Sequence, residues 1–331
     1  MNLVRIFATG SQEKYKTINE MAQVDIVIVC TYKCNFRCTY CDTIKKDLSA
    51  SSEIYKKLAK LIIIDKNKRF SVKFFGGEPL LFFEEIKEFV NEIGQKKKIK
   101  YYLTTNGEFL DEEKLEFFLK NNFELAVSID GDFKDFKKNR IALSGLEKKT
   151  FNKLLSIKKK YKKNIIVNMV IASSNVKNFY NNFIFLTSKG FLKINFLPAT
   201  YHKWSLAQLR KLDYEFKRIA SYLRRNNDEY VYIKNKDISN DIFFFSKALV
   251  VDSNGDIFFN NSILLNKFAH LRKDLYITNL ERENSLEDVL KKYKFNEKMK
   301  IKYERSNKYI ESISKNSVKT EIILNNFISL I

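Results

Sequence analysis

The stretch "CTYKCNFRCTYC", Cys30 to Cys41, holds every cysteine of a 331-residue chain. Its approach, "VDIVIVC", reads as a buried strand from Asp25 to Cys30, and the polar run behind it reads as a loop. On that loop Cys34, Cys38 and Cys41 stand in C-x3-C-x2-C order. Three thiolates so spaced can wrap a cubane iron-sulfur cluster, ligating three of its four irons and leaving the fourth open to a substrate or cofactor. Cys30 belongs to the strand and is read as a buried thiol. The alternative recruits it into C-x3-C-x3-C-x2-C, a closed four-thiolate zinc or iron-sulfur site.

Working outward, apolar runs alternate with helix-period segments. Strands are predicted at Asp25 to Cys30, Phe70 to Phe75, Ile99 to Thr104, Leu125 to Asp130, Ile165 to Ile171 and Phe191 to Leu197. Helices are predicted at Glu53 to Ile64, Phe83 to Ile93, Glu112 to Lys120, Thr150 to Tyr161 and Val176 to Thr187. Asp111, followed by Glu112 and Glu113, marks a helix start. Strands joined by crossover helices imply an α/β fold with a parallel, right-handed sheet, either an open doubly wound sheet or a partial barrel. Ligands of such folds bind at the carboxyl edge of the strands. There the cysteines follow strand one, "FFGGEP" ends strand two, "TTNG" strand three, "SIDG" strand four and "FLPA" strand six.

Composition sharpens that pattern. Average usage of about 5% proline would put on the order of sixteen in this length. The chain has only Pro79 and Pro198, and only nine glycines, four of them Gly76, Gly77, Gly107 and Gly131. All six fall at predicted strand ends, as residues placed at special backbone positions. The net charge of +21 would suit nucleic acid. However, the lysines are spread over the helices, as at Lys56-Lys57, Lys96 to Lys98 and Lys158 to Lys160, so a nucleic-acid partner is not expected. No apolar run reaches the roughly 18 residues of a membrane span, and Met1 to Glu20 lacks a signal-peptide stretch. A cytoplasmic location is expected, where clustered cysteines serve as metal ligands or redox groups.

Taken in order, the cysteine loop with Tyr40 before its last cysteine, then "GGEP", "TNG" and "SIDG", resembles the radical S-adenosylmethionine (radical SAM) superfamily over about residues 24 to 200. The resemblance implies a partial (β/α)6 barrel and one 4Fe-4S cluster held by Cys34, Cys38 and Cys41. The open iron of that cluster would bind S-adenosyl-L-methionine. Reductive cleavage of that cofactor yields a 5'-deoxyadenosyl radical that abstracts hydrogen from substrate. It also points to cofactor contacts. Gly76, Gly77, Glu78 and Pro79 would receive the ammonium, and Asn106, Ser128 and Asp130 the ribose and the methionine part. Arg140 would pair with the carboxylate. Tyr40's main chain, Asn168 to Val170 and Leu197-Pro198 would frame the adenine, with plain core packing the alternative for Asn168 to Val170. His202 and Tyr201, just past strand six, could face the substrate or simply pack. An electron donor such as flavodoxin or ferredoxin is implied.

The rhythm changes near residue 200. A charged helix is predicted at Ser205 to Arg225, a short strand at Tyr230 to Ile233, a hairpin from Ala248 to Asn261 turning at Asn254-Gly255, and a helix at Ser285 to Tyr293. Residues 1-23 are read as an N-terminal extension, 24-200 as the barrel, and 201-331 as a smaller α+β appendage. The hairpin resembles the SPASM region of peptide maturases, which holds auxiliary clusters. Here Asn260-Asn261 replaces the usual cysteine, so a degenerate, metal-free lid or docking region is expected. The leading substrate class is a peptide or protein. The alternatives are a small molecule and a non-enzymatic four-cysteine zinc module that binds nucleic acid.

Overall fold

The computed structural model describes residues 23–160, 165–199, 202–225, 231–237, 248–293 and 315–331. Six parallel strands form its centre: β1 (Gln23–Thr31), β2 (Arg69–Gly76), β3 (Ile99–Thr105), β4 (Phe123–Ser128), β5 (Ile165–Ile171) and β6 (Lys193–Pro198), paired in that order. Helices α1 (Ser52–Ile64), α2 (Phe83–Ile93), α3 (Glu112–Lys120), α4 (Phe133–Asn139), α5 (Glu147–Lys160) and α6 (Phe179–Ser188) make the crossovers of a partial barrel. Parallel strands need such crossovers, and a period-2 pattern sends alternate side chains to opposite faces. On β2, Phe74 points outward, edge-on to Phe89 of α2. Phe70 and Val72 share that face and are buried with it.

Each expected strand is present, with ends shifted by a few residues at most. The helix expected from Thr150 starts a turn earlier, at Glu147, and its expected end, Tyr161, lies outside the described residues. Val176–Asn178 forms a 3-10 turn before α6. Helix α4 was not foreseen. Its seven residues are too few for a helical period to show, although Asp132 caps it by accepting from the Asp135 amide at 2.9 Å.

Beyond residue 200 come α7 (Leu206–Arg225), β7 (Tyr232–Ile233), the hairpin β8 (Leu249–Val251) and β9 (Asp256–Phe259), β10 (Tyr276–Asn279), α8 (286–293) and α9 (Lys315–Leu330). Tyr230 lies outside the described residues. These later strands extend the same sheet at both edges: β7 pairs with β6 in parallel, and β8 pairs with β1 in parallel. Helix α9 lies on α7 through Phe327, which is 1% exposed and sits 4.6 Å from the Phe216 ring and 5.7 Å from Phe196 of β6.

Phe327→Ala is expected to cost about 3–5 kcal/mol, the range for emptying a buried aromatic site. Thermal unfolding and amide exchange across α9 check this, and an unchanged midpoint would contradict the docking described.

Candidate active site

The cysteine loop follows β1 and is held by backbone contacts at three places. At its start, the Gly77 amide donates to the Thr31 carbonyl at 2.8 Å and the Glu78 amide to that of Lys33 at 2.9 Å. No side chain fits in this seam: a Cβ on Gly77 would lie 1.9 Å from the Lys33 oxygen, and one on Gly76, at φ 137°, 2.2 Å from that of Thr31. In its middle, Phe36 bridges to Ala142, the Arg37 amide donates to Ile141 at 2.7 Å and the Leu143 amide to Asn35 at 2.8 Å. Beyond Cys41, Thr43 bridges to Leu265, the Ile44 amide donates to Leu264 at 2.8 Å and the Asn266 amide to Asp42 at 2.9 Å. Segments following β2, β4 and β9 thus converge on one loop.

The thiols of Cys34 and Cys38 are half-buried and that of Cys41 is exposed. Burial raises Cys34, and it pushes Cys38 up to about 12 against the opposing pull of Arg140. Cys41 lies close enough to act on both, and Cys34 close enough to act on Cys38. Cys30 is fully buried in β1 and faces Tyr55 of α1, and burial raises it to about 12. Among the described residues, no three Cys, His, Asp or Glu side chains converge as a single ion requires. Three thiols grouped on a fixed loop suit a cluster instead, which takes one thiolate per iron.

Beneath the loop lies a buried ion pair. Arg140 donates from Nε and Nη2 to the two Asp130 oxygens at 3.1 and 2.8 Å, and Tyr40 donates its hydroxyl to Asp130 at 2.7 Å. The Val170 amide adds a fourth bond at 3.2 Å. Burial opposes the Arg140 charge, but Asp130 outweighs it and raises its pKa. Burial likewise raises Tyr40 well above a normal phenol. Asp130 and Arg140, expected as separate cofactor contacts, therefore meet each other first.

Glu78 is also buried, and it accepts from the Leu80 amide (3.1 Å), the Thr105 hydroxyl (2.7 Å) and the Asn106 amide (2.8 Å). It thereby ties the end of β2 to the end of β3, with Pro79 opening the 3-10 turn that it caps. Asn106 donates its side-chain amide to Asn35 at 2.7 Å. On the inner face Asn195 donates to Asn168 at 2.9 Å, and Asn168 to Thr104 at 3.3 Å. Ser128 is the register partner of Asn168, and Leu197 that of Val170. His202 Nε2 donates to the Tyr40 carbonyl at 2.9 Å, so it braces the loop. Tyr201 lies outside the described residues.

Asn35, Thr105 and Asn195 were missed from sequence. The first two adjoin Cys34 and Asn106, so adjacency was the available signal; Asn195 carried none. Among the described residues, Asn35 Nδ2 on the loop and Asn195 Oδ1 on the inner face are buried without a hydrogen-bond partner. A donor left open beside Cys34 and an acceptor left open on the inner face fit a bound zwitterion or base as well as a cluster.

Comparison with known proteins agrees with this geometry. Residues 28–175 match the profile of the radical SAM superfamily. The cysteine-type anaerobic sulfatase-maturating enzyme of Clostridium perfringens (strain ATCC 13124) is 29% identical over 180 residues, which is 50% of this chain and 48% of that one. The radical SAM cyclopropyl synthase of Paramaledivibacter caminithermalis is 26% identical over 179 residues, 48% of this chain and 38% of that one. The chain thus spans about half the length, 48%, of the sulfatase-maturating relative. Among solved structures, native anSMEcpe with bound AdoMet and Cp18Cys peptide superposes with TM-score 0.67 at 21% identity, covering 88% of this chain and 82% of that one. Streptococcus suis SuiB bound to precursor peptide SuiA gives 0.59 at 18%, covering 80% and 64%. At these identities the likeness is one of fold.

Glu78 yields a pH signature. Burial raises it from 4.5 to about 7, against its three hydrogen bonds. Between those values the folded state holds a proton that the unfolded state has lost. The stabilisation is therefore complete below about pH 4.5, declines as pH rises to about 7 and is flat above, a change of about 3 kcal/mol. Glu321, raised to about 7 by burial alone, adds a similar slope. Urea unfolding from pH 4.5 to 8 should show Glu78→Gln removing about half of the decline, whereas an unaltered slope would refute the assignment.

Proposed function

From the match of residues 28–175 to the radical SAM superfamily, we propose that the chain is a radical SAM enzyme acting on a peptide or protein. The observation that carries the reading is the loop of Cys34, Cys38 and Cys41, fixed from three sides at the carboxyl edge of a parallel sheet. Those three thiolates would hold one 4Fe-4S cluster, with S-adenosyl-L-methionine at its remaining iron. When bound, the pair supplies one-electron cleavage of the sulfonium and a carbon radical for hydrogen abstraction.

The chain's own residues hold and orient. The Gly76-Gly77 seam fixes where the loop leaves the sheet, and Glu78 locks the following turn to Thr105 and Asn106. Asp130 keeps the Arg140 guanidinium under Cys38 through Nε and Nη2, which leaves Nη1 for a carboxylate. Asn35 Nδ2 and Asn195 Oδ1 are free to meet polar atoms of cofactor or substrate. Ser128, Asn168 and Leu197 line the inner face nearby. A small redox protein such as flavodoxin or ferredoxin would deliver the electron.

The peptide assignment draws on the named activities of sulfatase-maturating relatives and on a neighbour of like fold with a bound peptide. The region after residue 200 is read as metal-free and SPASM-like. No cysteine follows Cys41, and Asn260, at φ 59°, uses its side chain to accept from the Ser262 amide at 2.7 Å.

Anaerobic reconstitution of single Cys→Ala variants tests the reading. Wild type and Cys30→Ala should each retain about four irons, and the Cys34, Cys38 and Cys41 variants should lose them. Only the first two should release 5'-deoxyadenosine with dithionite. Loss of iron from Cys30→Ala equal to that from Cys38→Ala would overturn the three-thiolate site.

A further inference from the structure

Phe74 faces the helices, so its neighbours Ser71, Lys73 and Phe75 face the barrel interior. Register sets Lys73 between Val27 of β1 and Tyr102 of β3, one pleat nearer the carboxyl edge than Lys100, which lies beside Ser71. Lysine in the middle of the run "SVKFF" is out of place unless the barrel uses it.

Two other inward cations are neutralised. Lys100 and Lys234 both pair with Glu124, at 3.1 and 2.8 Å. Lys73 pairs with no carboxylate among the described residues. Its Nζ lies 5.2 Å from the centre of the Phe75 ring, and Phe75 is the next inward residue toward the carboxyl edge. The amine therefore stands in the lumen beside the Phe75 ring. Lys73 is half-buried, and that burial, with no carboxylate beside it, lowers its pKa, as expected of a cation with reduced solvation and no counter-charge. An aromatic face compensates only weakly for a missing anion.

We propose that Lys73 is the substrate's anion receptor: it holds a carboxylate of the substrate inside the barrel, below the cysteine loop. This deepens the proposed function, because it makes the substrate acidic at or near the reacting position. A peptide aspartate or glutamate and a small organic acid share this chemistry. Lys73 is a specificity residue here; it gives the bound carboxylate a fixed depth relative to the loop.

The test is binding by reconstituted protein at 0.15 M salt, followed by calorimetry or ligand-observed NMR. The probes are N-acetyl-aspartyl amide, N-acetyl-asparaginyl amide and succinate. Wild type should bind the aspartyl probe at least tenfold more tightly than the asparaginyl probe. Lys73→Met should abolish that preference and Lys73→Arg retain most of it. Lys56→Met, on the exposed face of α1, should keep it in full and so control for net charge. Succinate binding as tight as that of the aspartyl probe would point to a small acid, and weaker binding to a peptide side chain. Equal affinity for the two amides in wild type, or a preference that survives in Lys73→Met, would overturn the proposal. So would a tenfold loss of S-adenosylmethionine affinity in Lys73→Met, which would give the lysine to the cofactor. The titration needs no turnover, so it is read whether or not 5'-deoxyadenosine is formed, and the two readings fail separately.

Discussion

A backbone-to-backbone contact with no room for a methyl group holds this site together. Gly76 and Gly77 lie so close to Thr31 and Lys33 that any β-carbon would overlap a carbonyl oxygen. The cysteine loop therefore leaves β1 pressed against the end of β2. Glu78 continues the seam by fastening the next turn to β3. The close approach of these glycines is to the chain's own loop, and it sets where the thiols stand.

Beside that seam, Asp130 and Arg140 form a buried pair. Asp130 receives four hydrogen bonds, two of them from Arg140. Removing either partner would leave an uncompensated buried charge, which is worth more than any exposed pair. A second network reaches the loop from the C-terminal region. The Tyr32 hydroxyl donates to Asp252 at 2.8 Å, Arg272 donates to the other Asp252 oxygen, and its guanidinium lies 4.5 Å over the Phe258 ring. With the contacts at Asp42 to Ile44, it places the hairpin region beside both ends of the cysteine loop. A hairpin can serve in this way without ligands of its own.

Local chemistry was legible in the sequence and distant pairing was not. Runs such as "VDIVIVC" and "IIVNMVI" announce buried strands by composition, and scarce glycine and proline mark their ends. Arg140 and Asp130 were each singled out, yet nothing in the nine residues between them says that they meet, because α4 is too short to show a period. The parallel pairing of β8 with β1 joins residues more than two hundred positions apart, beyond the reach of any local pattern. Lys73 was legible in principle: alternation along β2 puts it inside, and only its lack of a carboxylate partner needed the structure.

The proposed chemistry needs one cluster with one open iron beside a cofactor site. Electron paramagnetic resonance of the anaerobically reconstituted, dithionite-reduced protein tests this directly. A single reduced 4Fe-4S signal is expected, and adding S-adenosylmethionine should shift its g values, because ligation of the open iron alters the cluster's electronic structure. A signal indifferent to S-adenosylmethionine, or no cluster signal from a protein that holds one zinc ion, would contradict the account.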